Sequence, residues 1–400
     1  MNNRELFFKH QAQTSPFPFA FEVAKAEGAF LYGPDGRKVL DLISGIAVSN
    51  VGHRHPKVVE AIKNQVDKHM HLMVYGELIS GAPAQLAAKL AELLPWKQQS
   101  SVYFVNSGSE ATEGAMKLAK RYTKRTEIIA CNNAYHGSTQ GALSLMGNEV
   151  YKEAFRPLLP NVTHINHGLI TDLNKISENT AAVFIEIIQG EAGVHFASQE
   201  YWSALRKKCD ESGALLVVDE IQTGFGRTGN FFSFEHYGLI PDIILMAKGM
   251  GGGMPIGAFA APNYIMSALM HDPILGHITT FGGHPVSCAA SLETLNVIQE
   301  ENLCEAAVLK GELFKQEFSK YSKAEVRGIG LMIAIQLSNF EQVQKVIAQC
   351  FEQNIFTDWF LFCDSALRVA PPLNISENDL INAAKILGEE VNRFINFKES

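Results

Sequence analysis

The sequence predicts an α/β fold, with a mostly parallel seven-stranded sheet between helices in a large domain and a smaller α+β domain beside it. Three observations predict it. From about residue 100, short β-branched apolar runs alternate with helical stretches, as in a parallel sheet covered on both faces. Amphipathic helices precede and separate these runs. After about residue 300 the helices become longer and the strands fewer, which indicates a second domain.

Seven apolar runs are expected to be the strands of the large sheet. In chain order they are Val102–Val105, Ile128–Cys131, Val162–Ile165, Ala182–Ile188, Ala214–Asp219, Asp242–Ala247 and Ile256–Ala261. Runs this short and this apolar are typical of strands that are buried on both faces.

Two amphipathic helices precede the first of these strands. Pro56–Met70 begins with a proline, which suits a first helical turn, and we expect Val59, Ile62 and Val66 to share its inward face. Pro83–Leu94 shows the same pattern, with a proline at its start and leucines at helical spacing. Both patterns predict helices that pack against the large sheet or its neighbours.

The last hundred residues follow a different pattern. A helix is predicted over Glu305–Tyr321, and strands over Leu331–Leu337 and Leu367–Ala370. The final helix begins after Ser376, and Asp379 stands three places further on at capping-box spacing. These elements form the smaller α+β domain.

The domain limits come from pattern alone, because no repeat or low-complexity linker separates the parts. We expect residues 1–50 to contribute to the small domain, residues 51–295 to form the large domain, and residues 296–400 to form the C-terminal small domain. A chain of 400 residues is long enough for about two or three domains.

Composition and charge exclude several classes of protein. With 46% hydrophobic and 19% charged residues, the chain is neither disordered nor fibrous. Its net charge of −8 and the lack of a dense basic run argue against nucleic acid as a partner. The apolar runs are far shorter than the ~18 to 20 residues that cross a bilayer, so no membrane partner is expected. The N-terminus shows no secretory signal, which predicts a cytoplasmic location.

A phosphate site is predicted where the strand Val102–Val105 ends. Ser107, Gly108 and Ser109 follow it and lead into a helix over Ala111–Lys120. Free N–H groups at a helix start, with glycine allowing close approach, bind anions well. The alternative is that one of the serines is only a helix cap.

Three more residues end predicted strands, where ligands of open α/β sheets bind. Asp219 could pair with a cationic ring nitrogen, or it could be an ordinary ion-pair or capping residue. Lys248 could be a buried nucleophilic amine, or a surface lysine. Tyr135 could cover a flat ring, or pack in the core. Together with the phosphate site, the three describe a pocket for pyridoxal 5′-phosphate.

Ordered motifs along nearly the whole chain carry a family resemblance. They are Asp41–Val48, Gly52–Pro56, Asn106–Glu110, Tyr135–Gly137, Gln189–Val194, Val218–Gly229, Ala247–Gly257, Thr280–Pro285, Val326–Leu331 and Arg368–Ile375. In these motifs the chain resembles the class III, or ω-amino acid type, pyridoxal-phosphate aminotransferases. This group includes acetylornithine, ornithine and 4-aminobutyrate aminotransferases. Its members have the fold of type I pyridoxal-phosphate enzymes.

The resemblance implies a role for each residue around the cofactor ring. Lys248 bonds covalently to the cofactor aldehyde, and Asp219 contacts the pyridine nitrogen. Tyr135 stacks on one face of the ring and Ile221 packs against the other. Gln222 lies near the ring hydroxyl. Lys248 and Asp219 are thus the expected catalytic residues, and Lys248 moves the proton during transfer.

Further cofactor contacts are expected from Ser107, Gly108 and Ser109 at the phosphate, and from His136 and Glu186. The resemblance also implies a homodimer in which the two subunits share their active sites. Thr280 is then expected to reach the cofactor phosphate of the neighbouring subunit.

No metal site is expected. His53 and His55 belong to the Gly-His-x-His-Pro turn that the resemblance covers, and no third zinc ligand is apparent. The six cysteines never occur as Cys-x-x-Cys, so we expect reduced core thiols.

One departure from the family bears on the substrate. Acetylornithine-, ornithine- and 4-aminobutyrate-type members usually carry an arginine after the His-Gly, where this chain has Ser138. Arg368 matches the other substrate-facing arginine of the family, and Glu191 matches the acid that pairs with it. The donor is therefore expected to be an amine or ω-amino compound, with Arg368 taking the carboxylate of a 2-oxo acid such as 2-oxoglutarate.

The sequence thus predicts an aminotransferase with ping-pong kinetics. Two other enzymes with the same motifs stay open: an aminomutase of the glutamate-1-semialdehyde type and a decarboxylating aminotransferase of the dialkylglycine type. A binding subunit of the same fold without catalytic activity is a remote third alternative.

Overall fold

The protein is described from a computed structural model over residues 1–96 and 99–395. The helices are α1 Asn3–His10, α2 Ser44–Ala47, α3 Pro56–Val66, α4 Gly81–Leu93, α5 Gly108–Thr123, α6 Gln140–Leu145, α7 Gln199–Ser212, α8 Asn263–Met266, α9 Pro285–Glu300, α10 Leu303–Phe318, α11 Phe340–Glu352 and α12 Glu377–Ile395. The strands are β1 Lys25–Glu27, β2 Phe30–Tyr32, β3 Lys38–Asp41, β4 Ser100–Val105, β5 Glu127–Cys131, β6 Val162–Ile165, β7 Thr180–Glu186, β8 Leu215–Asp219, β9 Ile243–Met246, β10 Gly257–Pro262, β11 Val326–Ile329, β12 Met332–Gln336, β13 Ile355–Phe356, β14 Asp358–Phe360 and β15 Cys363–Val369.

A seven-stranded sheet forms the centre of the molecule, in the order β4-β10-β9-β8-β7-β5-β6. Its pairs are parallel except for those of β10, which runs antiparallel to both neighbours. The seven predicted strands are confirmed. Every residue of β7, β8 and β9 is buried, because helices cover both faces of the sheet. The carboxyl ends of the parallel strands therefore meet at one edge.

The inward face of α3 differs from the predicted one. Val58 and Gln65 are buried, whereas Val66 is 43% exposed and Val59 only half-buried. The helix packs on α9, and a residue one place along a helix points about 100° away. Of the three residues expected on this face, Ile62 packs against the core, whereas Val66 is exposed. In α4, the expected row is confirmed, since Leu86 and Leu90 are fully buried.

Two smaller sheets lie outside the large one. β1, β2 and β3 form antiparallel pairs, and β13 from the C-terminal part joins β3 in parallel. The other sheet is antiparallel, in the order β11-β12-β15-β14. The two strands predicted here are β12 and β15. The domain limits stay a prediction.

The final helix begins as its capping pattern predicts. The Asp379 N–H donates to Ser376 Oγ at 3.1 Å, which satisfies one of the free donors of the first turn. Leu380, Leu387 and Val391 are fully buried and form the inward face of α12.

A buried arginine joins three segments near the large sheet. Arg227 donates through Nη1 to the carbonyl oxygens of Leu331 and Pro371, at 2.9 and 2.6 Å. Its Nη2 donates to Asn50 Oδ1 at 2.6 Å. The loop after β8 is thereby fixed to the N-terminal and C-terminal parts of the chain.

All six cysteines are free, and four of them are buried. They are therefore thiols of the core or its margin, as predicted. Within the described residues, no helix combines the length and apolar character that a membrane crossing requires.

Candidate active site

A cavity of about 420 Å³ opens at the carboxyl edge of the large sheet. This volume lies in the range of small-molecule sites. The predicted site residues that line it are Ser107, Gly108, Ser109, Tyr135, His136, Glu186, Glu191, Asp219, Ile221, Gln222 and Lys248. The structure thus brings together residues from five separate strand ends and the loops that follow them.

One end of the cavity is the start of α5. Ser107 caps the helix, since its Oγ accepts from the Glu110 N–H at 3.2 Å, and it also lines the cavity. The capping alternative and the anion-site prediction are therefore compatible. A Cβ at Gly108 would lie 2.9 Å from Ile221 Cδ1, so glycine leaves room there. A helix start with small residues and hydroxyls suits a phosphate.

Asp219, at the end of β8, is held by two hydrogen bonds. Its Oδ2 lies 2.7 Å from His136 Nδ1, and its Oδ1 accepts from the Ile221 N–H at 2.9 Å. Burial alone would lower the pKa of His136, but the hydrogen bond and charge of Asp219 outweigh it and raise that pKa. The carboxylate is thereby fixed in one orientation at the cavity wall.

Glu186 lies beside Asp219, because the two are register partners at the ends of β7 and β8. Its carboxylate accepts from the N–H groups of Tyr135 and Gly190, at 3.3 and 3.2 Å. Burial raises the pKa of Glu186 to about 7. A neutral Glu186 avoids placing two negative charges side by side at the edge of the sheet.

Lys248 follows β9 and lines the same cavity. Its φ of 45° lies in the left-handed region, which is unusual for a side chain other than glycine. Burial lowers the pKa of Lys248, although the nearby Glu191 opposes this effect. A larger share of the amine is therefore unprotonated and nucleophilic than in an exposed lysine.

The aromatic wall is formed by Tyr135. Its hydroxyl lies 3.0 Å from Ser138 Oγ, and its ring centre lies 6.3 Å from that of Phe362. The position after the His-Gly is thus filled by a short hydroxyl group that pairs with Tyr135. No guanidinium is offered to a substrate carboxylate from this position.

Glu191 and Arg368 form a buried bidentate ion pair. Arg368 Nη1 donates to Glu191 Oε1 at 2.9 Å and Nη2 donates to Oε2 at 2.8 Å. Gln222 also donates to Oε1, at 3.1 Å. Burial would raise the pKa of Glu191, but the charge and hydrogen bonds of Arg368 lower it to about 2. The pair is closed in this structure.

Arg368 lines a second cavity, of about 400 Å³, that adjoins the first. Lys248, Tyr135 and Glu191 line both cavities. The additional walls of the second cavity include Ile46 and apolar side chains from β14 and the turn after it. Lys248 and Arg368 thus face the same space, so a substrate that binds there contacts both.

Thr280 is the predicted site residue that the structure does not place near the others. It is exposed and is not among the residues that line either cavity. Its role toward a second subunit stays a prediction.

His53 and His55 make structural contacts. His53 Nε2 lies 2.8 Å from Asp41 Oδ2, and His55 Nε2 lies 3.0 Å from Glu301 Oε1. Across residues 1–96 and 99–395 there is no cluster of three or more possible metal ligands.

Sequence reasoning missed Asp358, which lines the second cavity beside Arg368. It stands in a strand of three residues, β14, that has no clear alternation of apolar and polar residues. Its position follows from pairing with β15, which the sequence does not reveal. Trp359 of β14, which also lines this cavity, was missed for the same reason. Ile46, another lining residue, lies in the four-residue helix α2, which the sequence did not predict.

The residues present fit pyridoxal 5′-phosphate. The start of α5 offers an anion site beside Gly108, where a Cβ would close the space. Asp219 offers a fixed carboxylate for a ring nitrogen, and Lys248 offers an amine for an aldehyde. His136 Nε2 is buried without a hydrogen-bond partner among the described residues, which leaves a donor or acceptor next to the site.

Comparison with known proteins gives the same identification. The family described as "Aminotransferase class-III" matches residues 11–390. The chain is 40% identical over 395 residues to an acetylornithine aminotransferase of Methanopyrus kandleri, covering 97% of this chain and 98% of that protein. It is 36% identical over 381 residues to an acetylornithine aminotransferase of Caldanaerobacter subterraneus subsp. tengcongensis, covering 92% and 93%.

Solved structures agree in fold. An ornithine aminotransferase from Toxoplasma gondii superposes with a TM-score of 0.91 at 27% identity, covering 99% of this chain and 96% of that one. An amine transaminase from an uncultivated Pseudomonas species, in its PLP-bound form, superposes with a TM-score of 0.88 at 26% identity, covering 96% and 98%. The chain therefore belongs to the class III aminotransferases and is a transaminase that depends on pyridoxal 5′-phosphate.

Proposed function

We propose that this aminotransferase takes its amino group from an amine or ω-amino compound and passes it to a 2-oxo acid such as 2-oxoglutarate. One observation carries the proposal: the closed Glu191–Arg368 pair stands beside Lys248, while Ser138 occupies the place of a second arginine. A donor without a carboxylate at its reacting end can bind while the pair stays closed.

The chain's own residues divide the work of transfer. Pyridoxal 5′-phosphate, when bound, supplies a sink for the electrons released at the amino carbon of the substrate. Asp219, oriented by His136, would keep a proton on the ring nitrogen. The Lys248 amine would hold the cofactor aldehyde and, when free, would move the proton at the reacting carbon of the substrate.

The remaining residues position the ring and the substrate. Tyr135 and Ile221 would cover the two faces of the ring, and Gln222, which also donates to Glu191, would lie near the ring hydroxyl. In the second half of the reaction the carboxylate of the 2-oxo acid displaces Glu191 from Arg368. Arg368 then binds that carboxylate with two parallel hydrogen bonds.

The test is the absorption spectrum of the purified holoenzyme before and after single donors are added. Amines, diamines, 4-aminobutyrate, ornithine and glutamate are compared, and loss of the cofactor band identifies the donor class. Arg368→Ala is expected to lose most of its reaction with 2-oxoglutarate but to keep the donor half-reaction. Reaction of Arg368→Ala with 2-oxoglutarate at the wild-type rate would contradict the proposal. Release of CO₂, or nitrogen that stays within one molecule, would indicate a different reaction of the same fold.

We also propose a homodimer with shared active sites and a cytoplasmic location. Thr280 is exposed, and large apolar side chains such as Ile79, 97% exposed, are uncovered in the single chain. Light scattering checks the dimer. Thr280 does not line the cavity of its own chain, so weaker cofactor binding in Thr280→Ala would support active sites shared between two subunits.

The cysteines support the proposed location, because six unpaired cysteines suit a reducing compartment.

A further inference from the structure

Arg368 faces a second carboxylate in addition to Glu191. Asp358 in β14 is the cross-strand partner of Arg368 in β15. Its Oδ1 lies 3.1 Å from Arg368 Nε. Both atoms are buried, and neither makes a hydrogen bond, so the N–H is not aimed at the oxygen. The contact is therefore one of charge, held in place by the strand register.

The two acids meet Arg368 on different sides. Glu191 takes the terminal nitrogens Nη1 and Nη2, and Asp358 stands at Nε. Two negative charges thus share one guanidinium within a single cavity. Burial raises the pKa of Asp358 to about 6 in spite of the opposing charge of Arg368, so the group is charged at pH 8.

The charges change when a substrate carboxylate enters. Such a group must displace Glu191 from Nη1 and Nη2, because these are the nitrogens that form a bidentate pair. Asp358 stays near Arg368, since the strand register holds its backbone opposite Arg368. The incoming carboxylate therefore meets a guanidinium that is already partly neutralised, with a like charge nearby.

An amine donor requires no such displacement. The Glu191–Arg368 pair stays closed, and the cavity keeps its apolar walls at Ile46 and Trp359. Asp358 then adds a second carboxylate to the closed ion pair, and a second ammonium at the far end of the donor can pair with it.

We propose that Asp358 is a specificity-determining residue, which disfavours donors with a carboxylate and favours amines without one, diamines above all. The inference rests on the proposed function and adds to it a residue whose charge selects among donors. Asp358 acts by its charge on the group that approaches Arg368.

The experiment compares two donors that differ by one carboxylate, 1,4-diaminobutane and ornithine. The rate at which each removes the cofactor band of the holoenzyme is measured at pH 8. The binding of glutarate, which carries carboxylates but no amine, is measured on the same protein by titration calorimetry. The variants are Asp358→Asn, the charge-retaining Asp358→Glu, and Asp364→Asn. Asp364 is an exposed acid on β15 and is the matched control, since it does not line the cavity.

Wild-type protein is expected to react faster with 1,4-diaminobutane than with ornithine. Asp358→Asn should lower that preference about 10-fold and bind glutarate about 10-fold more tightly, as expected for removal of one nearby like charge. Asp358→Glu and Asp364→Asn should both stay within about twofold of wild type.

Two results would overturn the inference: a wild-type preference for ornithine, or an Asp358→Asn variant with an unchanged preference and unchanged glutarate affinity. If Asp358→Asn does not fold, Asp358→Ser, which also removes the charge, takes its place in both measurements. If no donor removes the cofactor band, the proposed function fails, and the glutarate titration still decides the role of Asp358.

Discussion

Replacing Glu191 by glutamine should convert the substrate site from one that favours amines to one that favours carboxylates. Glu191 is the bidentate partner of Arg368, and glutamine keeps its shape while removing its charge. In Glu191→Gln the guanidinium no longer has an anionic partner on Nη1 and Nη2. A substrate carboxylate then binds without displacing a competitor.

The size of the effect follows from the pKa of Glu191. Arg368 overcomes burial and lowers that pKa from 4.5 to about 2. At ~1.4 kcal/mol for each pKa unit, the charge of Glu191 is worth about 3 kcal/mol in this site. Removing the competitor should therefore tighten carboxylate binding by up to about 100-fold.

Two assays with opposite expected signs separate this effect from damage to the fold. Glutarate binding to the holoenzyme should become tighter, while reaction with 1,4-diaminobutane should become about 10-fold slower because the cation meets an Arg368 that has lost one of its two carboxylate partners. Glu200→Gln, an exposed position on α7, is the control. A glutarate affinity within about twofold of wild type would refute the reasoning. So would a variant that loses both glutarate binding and reaction with 1,4-diaminobutane.

Three further predictions concern the catalytic amine, the core and the pH dependence. Lys248→Ala should fold as the wild type does but lose about 10²–10⁴-fold in the donor half-reaction, as measured by stopped-flow absorption. Gly114→Ala places a Cβ 2.3 Å from the buried ring of Phe259, so its free energy of unfolding should fall by about 1–3 kcal/mol in urea. Gly81→Ala, where the Cβ meets nothing within 4 Å, should be neutral. The pKa of Glu186 is about 7 in the folded chain, above its ordinary 4.5, so folding binds a proton and stability falls as pH rises through this window. Glu186→Gln has no such titrating group, so its free energy of unfolding should not fall in this way. Relative to wild type, the free energy of unfolding of the apoenzyme variant should rise by up to about 3 kcal/mol between pH 4.5 and pH 8. The same pH dependence of stability in both proteins would contradict this.

The residues at strand ends were predictable because a parallel sheet brings them to one edge. Asp219 and Lys248 end strands that are separated in sequence, yet both line one cavity. The apolar runs identify the strands, and the strand direction places the polar residue that follows each run. This reasoning needs no knowledge of which strands are neighbours.

What could not be predicted depends on pairing between distant or very short elements. Asp358 acquires its position only because β14 pairs with β15 in a register that places it opposite Arg368. Likewise, the inward face of α3 is set by its contact with α9, and Val66 lies outside that contact. A three-residue strand or a helix face has too little pattern of its own to indicate such partners.

The hairpin of β14 and β15 gives this enzyme a modular design. Its strands carry Asp358 and Arg368, and the Leu361 N–H in its turn donates to Glu191 Oε2 at 3.0 Å. Lys248 and Asp219, by contrast, belong to the large sheet. On the roles proposed above for Asp358 and Arg368, changes in residues 358–369 would alter which substrates are accepted without touching Lys248 or Asp219, which makes this short segment the first place to engineer a new substrate.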